Sequence, residues 1–200
     1  HIIKIGVFQV MNHYFLCKFK IFSMIVIAVY VTSLNVRLQN HLDCDPEIDY
    51  RELALNQLSM RVVESAIDSL TCEIELEETG NAYFLRGVAY YSLALNQPAV
   101  NDLTHALELE PDNDLYLSWR GSVYLEESQY VSAVNDLERA ISINPNVPLY
   151  YAKLADIYVA VFNRQKAEAI LNQAVEQMPQ NADAYVWRGQ YYYEMENIDK

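Results

Sequence analysis

Histidines, cysteines and clustered carboxylates are the side chains of this 200-residue chain with the chemistry to bind a metal ion or to catalyse a reaction. The four histidines are scattered along the chain, and no pair of histidines or cysteines has the spacing of metal ligands. No nucleophile and base form a catalytic constellation. We therefore expect a protein that is not an enzyme and that has no metal site and no cofactor.

The carboxylates form two runs, at 73–78 and 108–114, in a strongly acidic chain. Neither run has the spaced oxygen ligands of a calcium-binding loop, so we interpret both as solvated faces and turns. All 27 acidic residues, but only part of the 14 lysines and arginines, follow residue 42. This acidity excludes nucleic acid and an anionic membrane surface as the main partner.

The segment 1–42 differs from the rest of the chain, because it carries basic residues and no acid. Lys18 and Lys20 precede the apolar stretch 21–31, which is short for a membrane span and typical of a signal-peptide core. Three interpretations of residues 1–42 stay open: a cleaved signal peptide with a linker, an uncleaved membrane anchor, and an ordinary core helix or strand. The first two predict an exported protein (periplasmic, secreted or membrane-anchored), and the third predicts a cytoplasmic one. Membrane contact is expected only through this segment, if it is uncleaved.

The three cysteines are Cys17, Cys44 and Cys72. Cys17 lies in the apolar first segment, and its removal would leave an even number that can pair in an oxidising compartment. The alternative is that Cys44 and Cys72 are two unrelated thiols, with Cys72 a small packing residue in a helix. We favour the alternative.

A pentapeptide that recurs in the second half of the chain organises the sequence. Ala-Val-Asn-Asp-Leu occurs at 99–103 and again at 133–137. Glycines and prolines keep the same register, with Ala155 in the one missing glycine position: Gly87, Gly121, Gly189, Pro111, Pro145 and Pro179. Apolar residues at helical spacing predict two amphipathic helices in each period, and the proline with a following Asp or Asn predicts a stop and an N-cap. A fixed period of this length indicates stacked helical units.

This arrangement resembles the tetratricopeptide repeat, whose pattern of aromatic, glycine, tyrosine, alanine and closing proline spans about 34 residues. It occurs here as Tyr83-x₂-Arg86-Gly87-x₂-Tyr90, then Ala99-x₃-Leu103, then Pro111. The units would be 80–113, 114–147 and 148–181, with a fourth at 182–200 that stops halfway and leads us to expect further repeats beyond it. The resemblance implies an all-α, right-handed superhelical solenoid of antiparallel helix pairs with a concave groove.

Residues 43–79 read as a degenerate first helix pair or an N-terminal cap, with helices at about 48–60 and 62–76. Counted back by one period, Leu53 lies in the glycine position and Glu77 in the proline position. The small-residue positions of the second helix would be filled by Ser65 and Cys72.

Arginine precedes the glycine where the family pattern usually has leucine. Arg86 and Arg120 are matched in the second helix by Asp102 and Asp136. In the third unit both change together, to Leu154 and Ile170. This covariation within one chain predicts an Arg–Asp pair that joins the two helices of a unit, in preference to two independent solvated charges.

The resemblance also implies which residues line the groove, because the first helix of each unit forms it in this family. Carried onto this sequence, the lining is Phe84, Val88, Tyr91, Ser118, Trp119, Ser122, Leu125, Lys153, Asp156, Val159, Trp187, Gln190 and Tyr193. The residues in the places of the family's clamp for acidic chaperone tails include only one cation, Lys153, so we expect no such tail to bind.

We therefore expect a scaffold that binds another protein or peptide, of unknown identity, in this groove. Two alternatives stay open: an accessory domain of a larger enzyme or sensor, and a module that associates with itself.

Overall fold

The structure, a computed structural model, describes residues 44–198, so the expectations for residues 1–42 lie outside the described part of the chain. The described residues form helices without any strand. The helices are α1 Tyr50–Ser59, α2 Val63–Leu76, α3 Gly80–Ser92, α4 Asn96–Leu109, α5 Asp114–Glu126, α6 Tyr130–Ile143, α7 Pro148–Ala160, α8 Arg164–Gln177 and α9 Ala182–Ile198. Each packs on the next along the chain, and the first helices of neighbouring pairs also meet (α3 with α5, α5 with α7, α7 with α9). The fold is an all-α solenoid.

The two helices of each pair are connected by the same type of tight turn. In every turn a residue other than glycine adopts a left-handed backbone conformation, with φ between 57° and 61°: Arg61, Ala94, Ser128 and Phe162. The N–H of Leu95 donates to the carbonyl of Tyr90 at 3.0 Å, and the N–H of Ala94 donates to that of Tyr91 at 2.9 Å. This is the Schellman arrangement, and it satisfies the last carbonyls of the helix. The other three turns repeat it.

The pair α1–α2 closes with this same turn and has the structure of a complete unit. It lies one position out of the register of the later units, because the connection to α3 covers only 77–79, whereas the next connection covers 110–113. The alignment that puts Leu53 in the glycine position is therefore wrong. Ala54 fills that position with no exposed surface, whereas Leu53 is exposed.

The same displacement corrects the second helix of this pair. Ala66, fully buried, takes the position that the sequence alignment gives to Ser65. Glu73, and not Cys72, stands where later units have an alanine, and Arg51 Nε donates to its carboxylate at 2.7 Å. A buried carboxylate needs such a partner, so this unit replaces an apolar contact with an ion pair.

Only some of the Asp and Asn residues that are predicted to cap a helix do so in the structure. Asn113 accepts from the N–H of Tyr116 at 3.2 Å and caps α5. The connection before α7 is different: no side chain caps that helix, which begins at Pro148. The expectation of an Asn cap there is wrong, and the proline at the first helical position compensates because it has no N–H to satisfy.

Glycines in the first helices let the two helices of a unit approach closely. A Cβ added to Gly121 would lie 3.1 Å from Leu137 Cγ and 3.3 Å from the carbonyl oxygen of Ala133. Gly87 has the same surroundings in its own unit. A Cβ on Gly189 would meet nothing within 4 Å.

This contrast predicts opposite effects of one substitution. Gly121→Ala is expected to lower the free energy of unfolding by about 1 kcal/mol, because overpacking against a backbone oxygen outweighs the gain in helix propensity. Gly189→Ala is expected to raise it by about 1 kcal/mol. Urea unfolding followed by circular dichroism measures both, and a stabilised Gly121→Ala would contradict the packing described here.

Arg86 and Arg120 each hold three helices together. Arg86 donates from Nε and Nη2 to the two carboxylate oxygens of Asp102, at 2.7 and 2.9 Å, and from Nη1 to Thr71 at 3.0 Å. Arg120 makes the corresponding bonds to Asp136, both at 2.8 Å, and to Thr104 at 3.2 Å. The threonine of each set belongs to the preceding unit. The bidentate geometry thus joins the helices of one unit and the third bond joins neighbouring units.

In the third unit the structure replaces this pair by apolar packing. Leu154 is 1% exposed, and the partly buried Ile170 packs against the same core. Arg188, in the following unit, keeps the bond to the preceding unit, donating to Asn172 at 3.0 Å.

Cys44 and Cys72 form a disulfide, with 5.3 Å between their Cα atoms. The interpretation of two unrelated thiols is therefore wrong. The bond links the segment before α1 to α2. It therefore closes a covalent loop of the chain that contains α1. Within residues 44–198, no helix combines the length and apolar character that crossing a bilayer requires.

Candidate peptide-binding face

Helices α3 and α5 carry a row of aromatic side chains that contact one another. We call this row, together with the other residues expected to line the groove, the inner face. Phe84 of α3 stacks on Tyr116 of α5, with ring centroids 4.7 Å apart. Trp119 makes edge-to-face contacts with Phe84 at 6.2 Å and with Tyr91 at 6.0 Å. The rings of Phe84, Tyr91 and Trp119 are only partly buried. They therefore pack together and still offer surface to a ligand.

Lys153 extends this row into α7. Its Nζ lies 5.2 Å from the centre of the Trp119 ring and donates to Ser118 Oγ at 3.2 Å. Burial lowers the pKa of Lys153, and Asp156 opposes that effect. The cation is thus already held by the tryptophan face and a hydroxyl.

Asp156 is the unusual group of the inner face. Its side chain is exposed at the surface of α7, and α9, which carries Glu194, packs against α7. Loss of solvation and the nearby carboxylate of Glu194 together raise the pKa of Asp156 to about 6, although Lys153 acts to lower it. Glu194 itself accepts a hydrogen bond from Gln190 at 2.9 Å. Two like charges from neighbouring first helices therefore act on each other across the inner face.

This arrangement predicts a pH-dependent stability. Asp156 binds its proton more tightly in the folded protein than in the unfolded chain, so its contribution to stability is greatest below its ordinary pKa and decreases as the pH rises through 6. Asp156→Asn is therefore expected to raise the Tm slightly at pH 7.5 and to leave it unchanged at pH 4. Thermal unfolding at the two pH values measures this, and an equal effect at both would contradict it.

The remaining expected lining residues divide into two groups. Val88, Ser122, Leu125, Val159 and Trp187 are partly buried, and three of them (Leu125, Val159 and Trp187) pack against the central core. Ser122 uses its hydroxyl within the helix, donating to the carbonyl of Ser118 at 3.0 Å. Gln190 and Tyr193 on α9 are exposed. The structure therefore brings residues of α3, α5 and α7 into one contact network. Helix α9 contributes the exposed Gln190 and Tyr193 and the partly buried Trp187.

Three residues of this face did not follow from the sequence. Tyr116 is the stacking partner of Phe84, and the resemblance does not place it in the groove. Glu126 and Glu194 each come four residues after an expected lining residue, Ser122 and Gln190, so extending the helical face by one turn finds both. Burial raises the pKa of the Tyr91 hydroxyl, and Glu126 raises it further.

In the part of the chain that the structure describes, no group of three or more His, Cys, Asp or Glu residues is arranged to hold a metal ion. The chemistry that the inner face offers is that of recognition: aromatic rings, a lysine that is already held, and carboxylates.

Models of the tetratricopeptide repeat match the chain in two places, one over residues 80–113 and the other over residues 124–188. Among curated protein sequences, none matches the chain significantly.

Several solved structures share the fold. MamA from Desulfovibrio magneticus RS-1 is 22% identical with a TM-score of 0.63, over 74% of this chain and 84% of that one. PilF of Pseudomonas aeruginosa is 16% identical with a TM-score of 0.63, over 74% of this chain and 68% of that one. The first repeat domain of Spaghetti (RPAP3), solved with the HSP90 peptide SRMEEVD, is 17% identical with a TM-score of 0.51, over 59% of this chain and 94% of that one.

Proposed function

Because this chain belongs to the tetratricopeptide repeat family, we propose that it is a non-catalytic interaction scaffold that binds a segment of another protein on its inner face. Such repeats build extended surfaces, and a solenoid of this kind holds partners along the first helices. We place the binding site on the inner face because α3, α5, α7 and α9, which contact one another in sequence, all contribute side chains to it.

The observation that carries the proposal is the aromatic row Phe84, Tyr91 and Trp119. Large aromatic side chains at the centre of a surface are the usual anchors of protein interfaces, because they bury much area at little cost in side-chain entropy. Here they are fixed by ring contacts of 6.0 and 6.2 Å and remain partly exposed. A partner that covers them gains the burial without first ordering the site.

The disulfide supports a location outside the cytoplasm. Disulfides persist in secreted, periplasmic and surface proteins, whereas cytosolic reductants keep thiols reduced. We extend the proposal accordingly: the scaffold works in an oxidising compartment, in keeping with an export segment in residues 1–42. Fractionation of cells that express the full chain, with the thiol state of Cys44 and Cys72 read by alkylation, tests this part.

Affinity purification with the repeat domain as bait, followed by titration of the recovered partner, tests the inner face. Trp119→Ala is expected to weaken binding at least tenfold, since a central aromatic anchor contributes about 2 kcal/mol. Val131→Ala removes an apolar side chain that is 77% exposed on α6, a second helix, and serves as the matched control.

Trp119 also contacts its neighbours, so the fold of each variant is checked by circular dichroism. Ser122→Arg is a second variant, which fills the inner face without removing a ring contact. A partner whose affinity is unchanged by both Trp119→Ala and Ser122→Arg would exclude the inner face as the binding site.

A further inference from the structure

The charges of the inner face are unbalanced. Its described carboxylates are Glu126, Asp156 and Glu194, and its lysine, Lys153, is held by Trp119 and Ser118. Asp156 on α7 follows Lys153 by three residues, and α9, which packs against α7, carries Glu194. The Glu194 carboxylate opposes the effect of Lys153 and raises the pKa of Asp156. A carboxylate next to a like charge is stabilised by an added cation, which favours the charged form of both groups.

We propose that the segment bound on the inner face carries a lysine or arginine side chain that reaches Asp156 and Glu194, next to an apolar or aromatic side chain that packs on Trp119. This inference rests on the proposed function and specifies its partner. The two parts of the site are neighbours, because Lys153 lies between them and precedes Asp156 by three residues on the same face of α7.

The charge complementarity also disfavours the opposite kind of ligand. A segment rich in Glu or Asp would bring further negative charge close to Glu126, Asp156 and Glu194. Lys153 would have to leave the Trp119 ring to form an ion pair with that segment. Like charges that meet across an interface without compensation weaken binding and select against that partner. The acidity of the chain after residue 42 acts in the same direction at longer range, since it attracts basic segments and repels acidic ones.

Four pools of synthetic octapeptides test the inference. The pools are acetylated and amidated, random at seven positions, and fixed at one central position as Arg, Lys, Gln or Glu. Binding to the purified repeat protein is measured by array fluorescence for the wild type, Asp156→Asn, Trp119→Ala and Glu176→Gln. Glu176 is exposed on α8, a second helix, so its substitution is the matched control for the loss of one negative charge.

The wild type is expected to bind the Arg and Lys pools about three- to fivefold better than the Gln pool, and the Glu pool less well than the Gln pool, as for a partly exposed charge pair. Asp156→Asn is expected to reduce this ratio about threefold, and Glu176→Gln is expected to leave it unchanged. Because Lys and Arg stay charged, lowering the pH to 5 is expected to reduce the Lys-to-Gln ratio in the wild type but not in Asp156→Asn.

Equal binding of the four pools, a preference for Glu, or a Lys preference that is as large in Asp156→Asn as in the wild type would overturn the inference. In those cases a general loss of binding in Trp119→Ala would still leave the inner face as the binding site. Binding of every pool that is insensitive to Trp119→Ala would instead contradict the proposed function. A molecular mass that rises with protein concentration in light scattering, together with loss of peptide binding, would assign the inner face to a second copy of the chain and overturn the inference.

Discussion

Arg86→Leu is expected to lower the free energy of unfolding by about 3 kcal/mol, because it leaves the buried Asp102 carboxylate without a counter-charge. The Asp102 side chain is 7% exposed and receives two short charge-assisted bonds from Arg86. The bond from Arg86 to Thr71, which joins neighbouring units, is lost as well. Urea unfolding at several temperatures measures the change.

The double variant Arg86→Leu with Asp102→Ile is expected to lie within about 1 kcal/mol of the wild type, since well-packed apolar residues replace a buried ion pair at little cost. The third unit already contains this solution, in Leu154 and Ile170. Arg139→Leu is the matched control, because its pair with Asp112 is exposed, and it is expected to cost less than about 1 kcal/mol. A double variant as unstable as Arg86→Leu alone would contradict the account of the pair.

Replacement of both cysteines, as Cys44→Ser with Cys72→Ser, is expected to lower the free energy of unfolding of the solenoid by about 3 kcal/mol. The two cysteines are separated by 28 positions in the sequence, and a cross-link of that length removes about this much conformational entropy from the unfolded chain. The loss is expected mainly at α1 and α2, because repeat units interact chiefly with their neighbours. Amide hydrogen exchange locates it, and urea unfolding gives its size.

Reduction of the wild type with dithiothreitol is expected to give the same destabilisation as the double serine variant. The serine variant itself is the control, and dithiothreitol is expected to leave its stability unchanged. Equal unfolding curves for reduced and oxidised wild type would show that the bond does not hold α2 to the segment before α1.

The repeats at 80–198 could be read from the sequence because several independent features share one period. Glycine positions, proline turns and the pentapeptide all recur in the same register, and each has a direct structural cause: close helix approach, helix termination and packing between units. The pairing of Arg86 with Asp102 also followed from the sequence, since the corresponding positions of the third unit change together to Leu154 and Ile170. Covariation between the units of one chain thus predicted a side-chain contact, which the repeat period alone does not predict.

The first helix pair was harder to read, because one residue missing from the connection at 77–79 displaces it from the period. A fixed period then puts Leu53 where the structure has Ala54. This pair also lacks two residues that mark the later units in the sequence. Glu73 replaces the second alanine of the second helix, and no proline follows α2. The disulfide was not predictable for a different reason: whether two distant cysteines meet depends on the tertiary arrangement.

The inner face was predictable as a set of positions but not as an arrangement. Helical spacing places residues on a face, whereas ring contacts such as that of Phe84 with Tyr116 depend on how neighbouring units are offset. The raised pKa of Asp156 depends on α7 and α9 lying side by side, and a single helix gives no indication of it. The electrostatic environment of Asp156 could therefore be described only once the packing of neighbouring helices was known.

The most direct test of the account is the affinity of a recovered partner segment for the wild type, Trp119→Ala and Val131→Ala, measured by isothermal titration calorimetry. If the inner face binds the partner, Trp119→Ala weakens binding at least tenfold while Val131→Ala leaves it unchanged. Equal affinities for the wild type and Trp119→Ala, or a larger loss in Val131→Ala, would contradict the account.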